Sequence, residues 1–544
     1  MKMKYRITTL WILLLCFLGS TAQRPGYRSS APPKVVIGIV VENMRPDYVD
    51  RYWSKFGEEG FRKLYTRGAV VTNMKLSQHV QNYASGTATL FTGVYPSGHG
   101  IIDQVWYDRL RTREAGCVSD DYYFTVGADS KAGNASPKKL MASTIGDNLK
   151  LFTMNKARVY SIAMNAESAI FSAGHAGDAA WWFDPVSGRM ISSSFYVNTF
   201  PEWARDYNMV SQGEKYSGRN WVTLLPENQY TESLPDNHFL EAGYGEKANV
   251  FPHTLNKLVR QAESFNPIKT TPYANTIIRE FTTTLLDHEP VGSDDIPDLV
   301  TVFFSSMDYA HGNFGPVSLE MQDLYLRLDQ EIAELINYAE KKYGKDDVVF
   351  FLTANTSASY PVNYLKEVFH MPVGDFLPES AFALLNSLLN ITYGEEKWIE
   401  HISGKQLYLD HKLIEKNKLD LKEIRNLIAD FITQFEAVKV ALPAHMLEQG
   451  SFDNSALNGL YRTYMLNRSG DVLYTLNEGW QPAYKFKKVN YTDQIHIPLV
   501  FYGKGIQPAV IKNPFDAIDV APTVSEILQI PVPDRSRGRV IEGF

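Results

Sequence analysis

Seven consecutive apolar or small residues, Val35-Val36-Ile37-Gly38-Ile39-Val40-Val41, stand together with no polar position among them. A half-buried strand alternates apolar and polar side chains, so an unbroken β-branched run predicts a strand covered on both faces, within a sheet sandwiched by helices. Runs of the same kind recur at 158–164, 298–305, 348–354 and 497–502. Between them the period changes: Leu324, Leu326, Leu328, Ile332, Leu335 and Ile336 recur at near-helical spacing within Leu319 to Lys342. Strands alternating with helices predict an α/β fold around a mostly parallel sheet. In such sheets the ligand site lies at the carboxyl ends of the strands, which directs attention to Glu42, Asp308, Asn355 and the stretch before His496. Two stretches break the alternation, one of about 180–270 rich in Trp, Tyr, Asn and Pro, and one of about 360–485 that is mixed helical and polar. Both are read as insertions that cap the sheet.

The N-terminus has another pattern: basic Lys2, Lys4 and Arg6, an apolar run from Leu10 to Leu18, then small residues to Ala22. This is the form of a secretory signal peptide, with cleavage expected near Ala22 and a periplasmic or secreted destination. The apolar run is short of the ~20 residues that a membrane span requires, and no other stretch approaches it, so no transmembrane segment is expected in the mature chain. Residues 23–34 are rich in Pro, Ser and Gly and read as a linker, leaving one folded domain over 35–544 with its two caps. Cys16 sits in the hydrophobic segment without the small residues of a lipoprotein signal before it, and Cys117 is the one cysteine beyond the cleavage point. No intramolecular disulfide is then available. A net charge of -7 over 544 residues offers no broad basic surface, which argues against nucleic acid as a partner.

Several segments in order carry a resemblance. They are Gly38 to Arg45, Thr89-Leu90-Phe91-Thr92-Gly93 running on to Ile101, Trp106-Tyr107-Asp108, Ser305 to Tyr309, Phe314-Gly315-Pro316, Asn467 to Val472, His496 to Gly503, and Asp519-Val520-Ala521-Pro522-Thr523. Together they resemble the PafA-like branch of the alkaline phosphatase superfamily, which also holds the nucleotide pyrophosphatase/phosphodiesterases. The resemblance implies an alkaline-phosphatase-like, mostly parallel sheet sandwiched by helices, and a site in which two zinc ions clamp a phosphate ester while a threonine or serine attacks. Six Asp and His ligands would hold the metals, because zinc requires three or four N or O donors at about 2.0–2.2 Å.

Carried over position by position, most of that equipment is replaced. The first aspartate ligand falls on Glu42, and the nucleophile on Tyr83, whose rigid phenol cannot set its oxygen where a threonine hydroxyl would attack. Asp308 is kept, but Gly312 takes the place of the following histidine, with His311 one residue early. The Asp-His pair after the next strand falls on Asn355 and Thr356, and the last histidine ligand on His496. The phosphate-contacting asparagine falls on Gln104, and the Lys-x-Arg pair on Asn165 and Glu167. A carboxylate about 4 Å from a phosphate dianion in a partly desolvated site costs on the order of several kcal/mol, so phosphate binding should be strongly weakened.

Two of six ligand positions are thus identical and one is conservatively changed, while the strand cores and turns stand in good order. The implied reading is a catalytically inactive pseudophosphatase with a binding or assembly role outside the cytoplasm, its partner an unidentified protein or envelope component. No cofactor is expected beyond zinc at one residual site. The alternative is a metal-dependent phosphoric ester hydrolase with an altered, single-metal site drawing on Asp308, His311, His496 and Glu42. A local register shift that restores the usual ligands would need a nearby Asp-His pair at Asn355, and none is there.

Each candidate also has a plainer reading. Asp308 and His496 can persist as structural hydrogen-bonding groups, and Tyr83 as a ring that fills the space of the metals. Ser85 and Thr87 offer hydroxyls with no base to activate them. Trp181-Trp182-Phe183 with Trp203 and Tyr207 could line a groove or belong to the core, and His175 with Asp178 has the spacing of a metal pair but is read as structural.

Overall fold

The computed structural model describes residues 31–239, 241, 243–244, 249–450, 455–483 and 496–544. The expected signal peptide and its cleavage point lie outside the described residues.

The predicted strands assemble into one ten-stranded sheet. Its members in chain order are β1 (Val35–Val41), β2 (Ala69–Val71), β3 (Thr125–Val126), β4 (Val159–Ala163), β5 (Ala179–Asp184), β6 (Arg189–Ser193), β7 (Asp298–Phe304), β8 (Val348–Thr353), β9 (Leu499–Gly503) and β10 (Ala509–Ile511). The order across the sheet is β10-β2-β9-β8-β1-β7-β4-β5-β6-β3. The five central strands β8, β1, β7, β4 and β5 run parallel, and β1, β4, β5, β7 and β8 are buried at every position. Their unbroken apolar runs are what two helical layers demand. Close packing reaches the backbone at Gly38, where a Cβ would lie 2.4 Å from Cζ of Phe351.

Six helices bear on the site. They are α1 (Tyr83–Thr92), α2 (Ala166–Ala173), α3 (Asn266–Lys269), α4 (Pro272–His288), α5 (Ser306–Phe314) and α6 (Leu319–Tyr343). The long helix ends one residue beyond the expected Lys342, at Tyr343, before Gly344 with φ +93°.

Two readings are refined by the structure. The run at 497–502 is a strand, but β9 lies antiparallel to β8. The stretch from 180 onward begins inside the main sheet: β5 is parallel to β4, and β6 pairs antiparallel with β5. Trp181, Trp182 and Phe183 fill the same two-sided environment that valine and isoleucine fill elsewhere, and Trp181 meets Trp203 edge-on with centroids 5.8 Å apart. The aromatic segment is therefore core. His175 and Asp178 diverge: the first faces Asp147 at 3.2 Å, and the second receives Lys150 at 2.9 Å.

The stretch of about 360–485 builds a separate four-stranded sheet of Ile399–Ser403, Gln406–Leu409, Val472–Leu476 and Val438–Pro443. It has its own apolar core around Leu385, Leu389, Trp398, Leu407, Ile428 and Tyr474. Among the described residues no helix is long and apolar enough to cross a membrane.

Candidate functional site

The chain leaves β1, β4, β7 and β8 at one edge of the sheet, and each exit delivers a polar residue: Glu42, Asn165, Asp308 and Asn355. Two helices start there with side-chain caps. The Asn82 side chain accepts from Ser85 N at 2.9 Å to open α1, and the Asn165 side chain accepts from Ser168 N at 2.8 Å to open α2. The first turn of α1 lies directly on the loop after β8, which Gly86 permits: a Cβ there would stand 1.8 Å from the carbonyl oxygen of Asn355.

Glu42 is the centre of the site and is fully buried. Asn165 Nδ2 donates to both of its carboxylate oxygens, at 3.2 and 3.1 Å. Asn355 Nδ2 donates to Oε1 at 3.2 Å, and the Ser168 hydroxyl donates to the same oxygen. Burial pushes the Glu42 carboxyl up, and these donors pull it back. Asn355 Nδ2 also reaches Thr87 Oγ1 at 3.0 Å, and Thr356 Oγ1 accepts from Asn43 N at 3.1 Å.

Around that floor, Tyr83, Glu167, Asp308 and Tyr309 are half-buried. Burial and the Glu42 charge push the Asp308 carboxyl up to about 8. Tyr83 is the first residue of α1, and its hydroxyl is held protonated by burial and then by Glu167, Tyr309, Asp308 and Glu42. A phenol in that company is a poor nucleophile. Ser85 and Thr87 are fully buried and engaged, Ser85 by Gln78 Nε2 at 2.9 Å and Thr87 by Asn355.

Sequence reasoning missed two members. Ser168 closes the cage around Glu42, and Lys269, at the end of α3, brings a buried ammonium 5.2 Å from the centroid of the Tyr309 ring. Desolvation pushes Lys269 down to about 8, opposed by Glu167, Asp184 and Glu42. Its signal was slight, a lone lysine in Pro267-Ile268-Lys269-Thr270 within a stretch read as a cap. Gln104 is half-buried and tied to the start of α1, because its N–H and the Asn82 side chain both donate to Asp103 Oδ1, at 2.7 and 2.8 Å.

The two histidines stand in other surroundings. His311 is buried, is pushed down to about 4 by burial and then by Arg45, and its Nδ1 has no hydrogen-bond partner among the described residues. His496 is half-buried, and its backbone bridges Lys75, whose charge adds to the desolvation that lowers it. Gly312 is exposed.

Zinc binds through lone pairs of carboxylate oxygen and imidazole nitrogen. Here the Glu42 lone pairs accept N–H and O–H donors, Asn355 turns its amide nitrogen inward, and Thr356 accepts from a backbone amide. A pair of zinc ions does not fit this donor set.

The family model described as "Type I phosphodiesterase / nucleotide pyrophosphatase" matches residues 36–497. Alkaline phosphatase PafA of Elizabethkingia meningoseptica is 34% identical over 94% of this chain and 94% of its own. Alkaline phosphatase PhoV of Synechococcus elongatus is 32% identical over 94% of this chain and 92% of its own. The crystal structure of wild-type PafA superposes with a TM-score of 0.89 at 33% identity, covering 94% of this chain and 99% of that one. A family match over most of the length, relatives above 30% identity and a shared sheet with its flanking helices agree: the chain belongs to the type I phosphodiesterase/nucleotide pyrophosphatase family, as a PafA-like member of the alkaline phosphatase superfamily.

Proposed function

We propose that this chain is a binding or assembly protein on a phosphatase scaffold and does not turn over phosphate esters. The observation that carries the reading is the cage around Glu42, where Asn165 and Asn355 supply neutral donors at positions from which the family resemblance implies a cation and a metal ligand, and Ser168 adds a third donor. Tyr83 at the nucleophile position and Glu167 at a cation position support it. The partner is a protein or an envelope component, met outside the cytoplasm after cleavage near Ala22.

The comparisons weigh toward a second reading. Relatives matched over 94% and 92% of their own lengths are named alkaline phosphatases, which favours a phosphoric ester hydrolase; an altered single-metal site would draw on Asp308, His311 and His496. Metal analysis of the purified chain together with turnover of aryl phosphate mono- and diesters separates the two. The first reading expects less than one zinc per chain and no turnover. The second expects one metal per chain and activity lost in His496→Ala; turnover abolished by Asp308→Ala also sinks the first.

A further inference from the structure

The sheet edge that carries Glu42 continues past β4, and the outer strands build a cavity on it. β5 runs parallel to β4, β6 antiparallel to β5 and β3 antiparallel to β6, so the end of β3 at Val126 and the start of β6 at Arg189 fall on that same edge. Gly127, Arg189, Phe200, Arg205, Asn208 and Met209 line a cavity of about 380 Å³. Small-molecule sites span roughly 300–1,000 Å³, and this one falls within that range. The Phe200 ring reaches the wall because residue 127 is glycine: its φ is +109°, and a Cβ there would stand 2.5 Å from Cε2 of the ring.

Two guanidinium groups line this space and no carboxylate does. Arg189 is half-buried, and its Nε donates to the Asn208 carbonyl oxygen at 3.2 Å. Asn208 is itself fixed, since its side chain accepts from Met190 N at 3.1 Å and donates to Met190 O at 2.7 Å. Among the described residues Arg189 makes no other side-chain hydrogen bond and no ion pair. Asp184, its opposite in the sheet register, turns its carboxylate to Val186 N, Ser187 N and the Ser187 hydroxyl instead. Arg205 is exposed on the short helix Glu202–Tyr207 and reaches only Phe200 O, at 3.4 Å. Glu202 and Asp206 on that helix are exposed and form no ion pair with it among the described residues.

Like charges that share a cavity repel, and an oxyanion placed between them turns the repulsion into attraction. The planar fork of a guanidinium matches two oxygens of a carboxylate or sulfonate group. Phe200 and Met209, the latter 76% exposed, add apolar surface that an inorganic ion alone leaves uncovered. A cation finds no anionic partner on these walls, and a neutral apolar molecule leaves both guanidiniums unpaired.

We propose that this cavity binds a small organic anion, its oxyanion group held by Arg189 and Arg205 and its apolar body packed on Phe200 and Met209. The site is separate from the Glu42 cage and stands under either reading of that cage.

Isothermal titration calorimetry on the mature chain tests the proposal with phenylacetate and benzenesulfonate, which carry no phosphate ester, and with sulfate, phenethyl alcohol and phenethylamine as controls. The expected result is saturable binding of at least one aromatic anion, binding of sulfate and of the alcohol weaker by tenfold or more, and none of the amine. Affinity for the aromatic anion should fall tenfold or more in both Arg189→Gln and Arg205→Gln. Should Arg189→Gln fail to fold, Arg205→Gln decides alone, because Arg205 is exposed and its side chain makes one long bond. No binding of either aromatic anion at about 10 mM, or sulfate or the alcohol binding as tightly as they do, would overturn the proposal. Affinity unchanged in the variants overturns it too, since the anion then sits elsewhere on the chain.

Discussion

The amide nitrogen of Asn355 stands 3.2 Å from Glu42 Oε1 and 3.0 Å from Thr87 Oγ1, tying the exit of β8 to the exit of β1 and to the first helix. An aspartate at that position, as the family resemblance implies, would face Glu42 as a second anion. The amide turns a repulsion that a metal would have to neutralise into an attraction.

Asn355→Asp should therefore destabilise the protein. Two carboxyls in a fully buried site cost on the order of 2–4 kcal/mol, read as a lower melting temperature at neutral pH. Adding Thr356→His and Gly312→His supplies zinc-type donors, and added zinc should then recover part of the loss in the triple variant while leaving the wild type unmoved.

Asp471 organises the second sheet. Its carboxylate accepts from Arg109 at 2.5 Å, Arg425 at 2.9 and 2.6 Å, His411 at 2.8 Å and Leu409 N at 2.7 Å. Burial alone would raise its pKa, but His411, Arg109 and Arg425 outweigh it and hold it below the usual aspartate range. The stabilisation is present above that range and is lost only as pH falls beneath it. Asp471→Ala should lower unfolding stability by about 3–5 kcal/mol at pH 7, measured by urea titration followed on tryptophan fluorescence.

Glu320 gives the opposite pH dependence. It is fully buried against His253 Nε2 at 2.9 Å, its Oε2 has no hydrogen-bond partner among the described residues, and burial with Asp236 and Asp323 pushes it up to about 8. The folded state then holds a proton that the unfolded chain releases near 4.5, so stability falls as pH rises through that window to about 8. Glu320→Gln should flatten this slope. The difference between variant and wild-type melting temperatures, measured from pH 5 to 9, should grow in favour of the variant.

Gly86→Ala should be severe for its size. The added methyl would overlap the Asn355 carbonyl oxygen, so α1 must move off the sheet edge at a cost on the order of 3 kcal/mol. Soluble yield and melting temperature report it.

The central strands were legible because burial on both faces leaves a composition that only such strands need, as in β1 and β7. Strand direction was not: the run that became β9 is as apolar as the parallel central strands, yet it lies antiparallel to both of its neighbours, and nothing in a short buried run encodes polarity along the sheet. The start of the stretch at 180 was hidden by Trp181 and Trp182, whose bulk reads as cap composition although they fill core space. At the site, Glu42, Asn165, Glu167, Asp308 and Asn355 were placed from strand ends and resemblance. Ser168 and Lys269 were not, because their role comes from how helices starting far apart in the chain converge, which no local pattern records.

The cage around Glu42 also has a bearing on how the native state is reached. Every group that completes that carboxylate's hydrogen bonds belongs to the same polypeptide, so the edge of the sheet is finished as soon as the strands and first helices dock. On the non-hydrolytic reading, refolding in a strong chelator should match refolding in untreated buffer in both rate and yield.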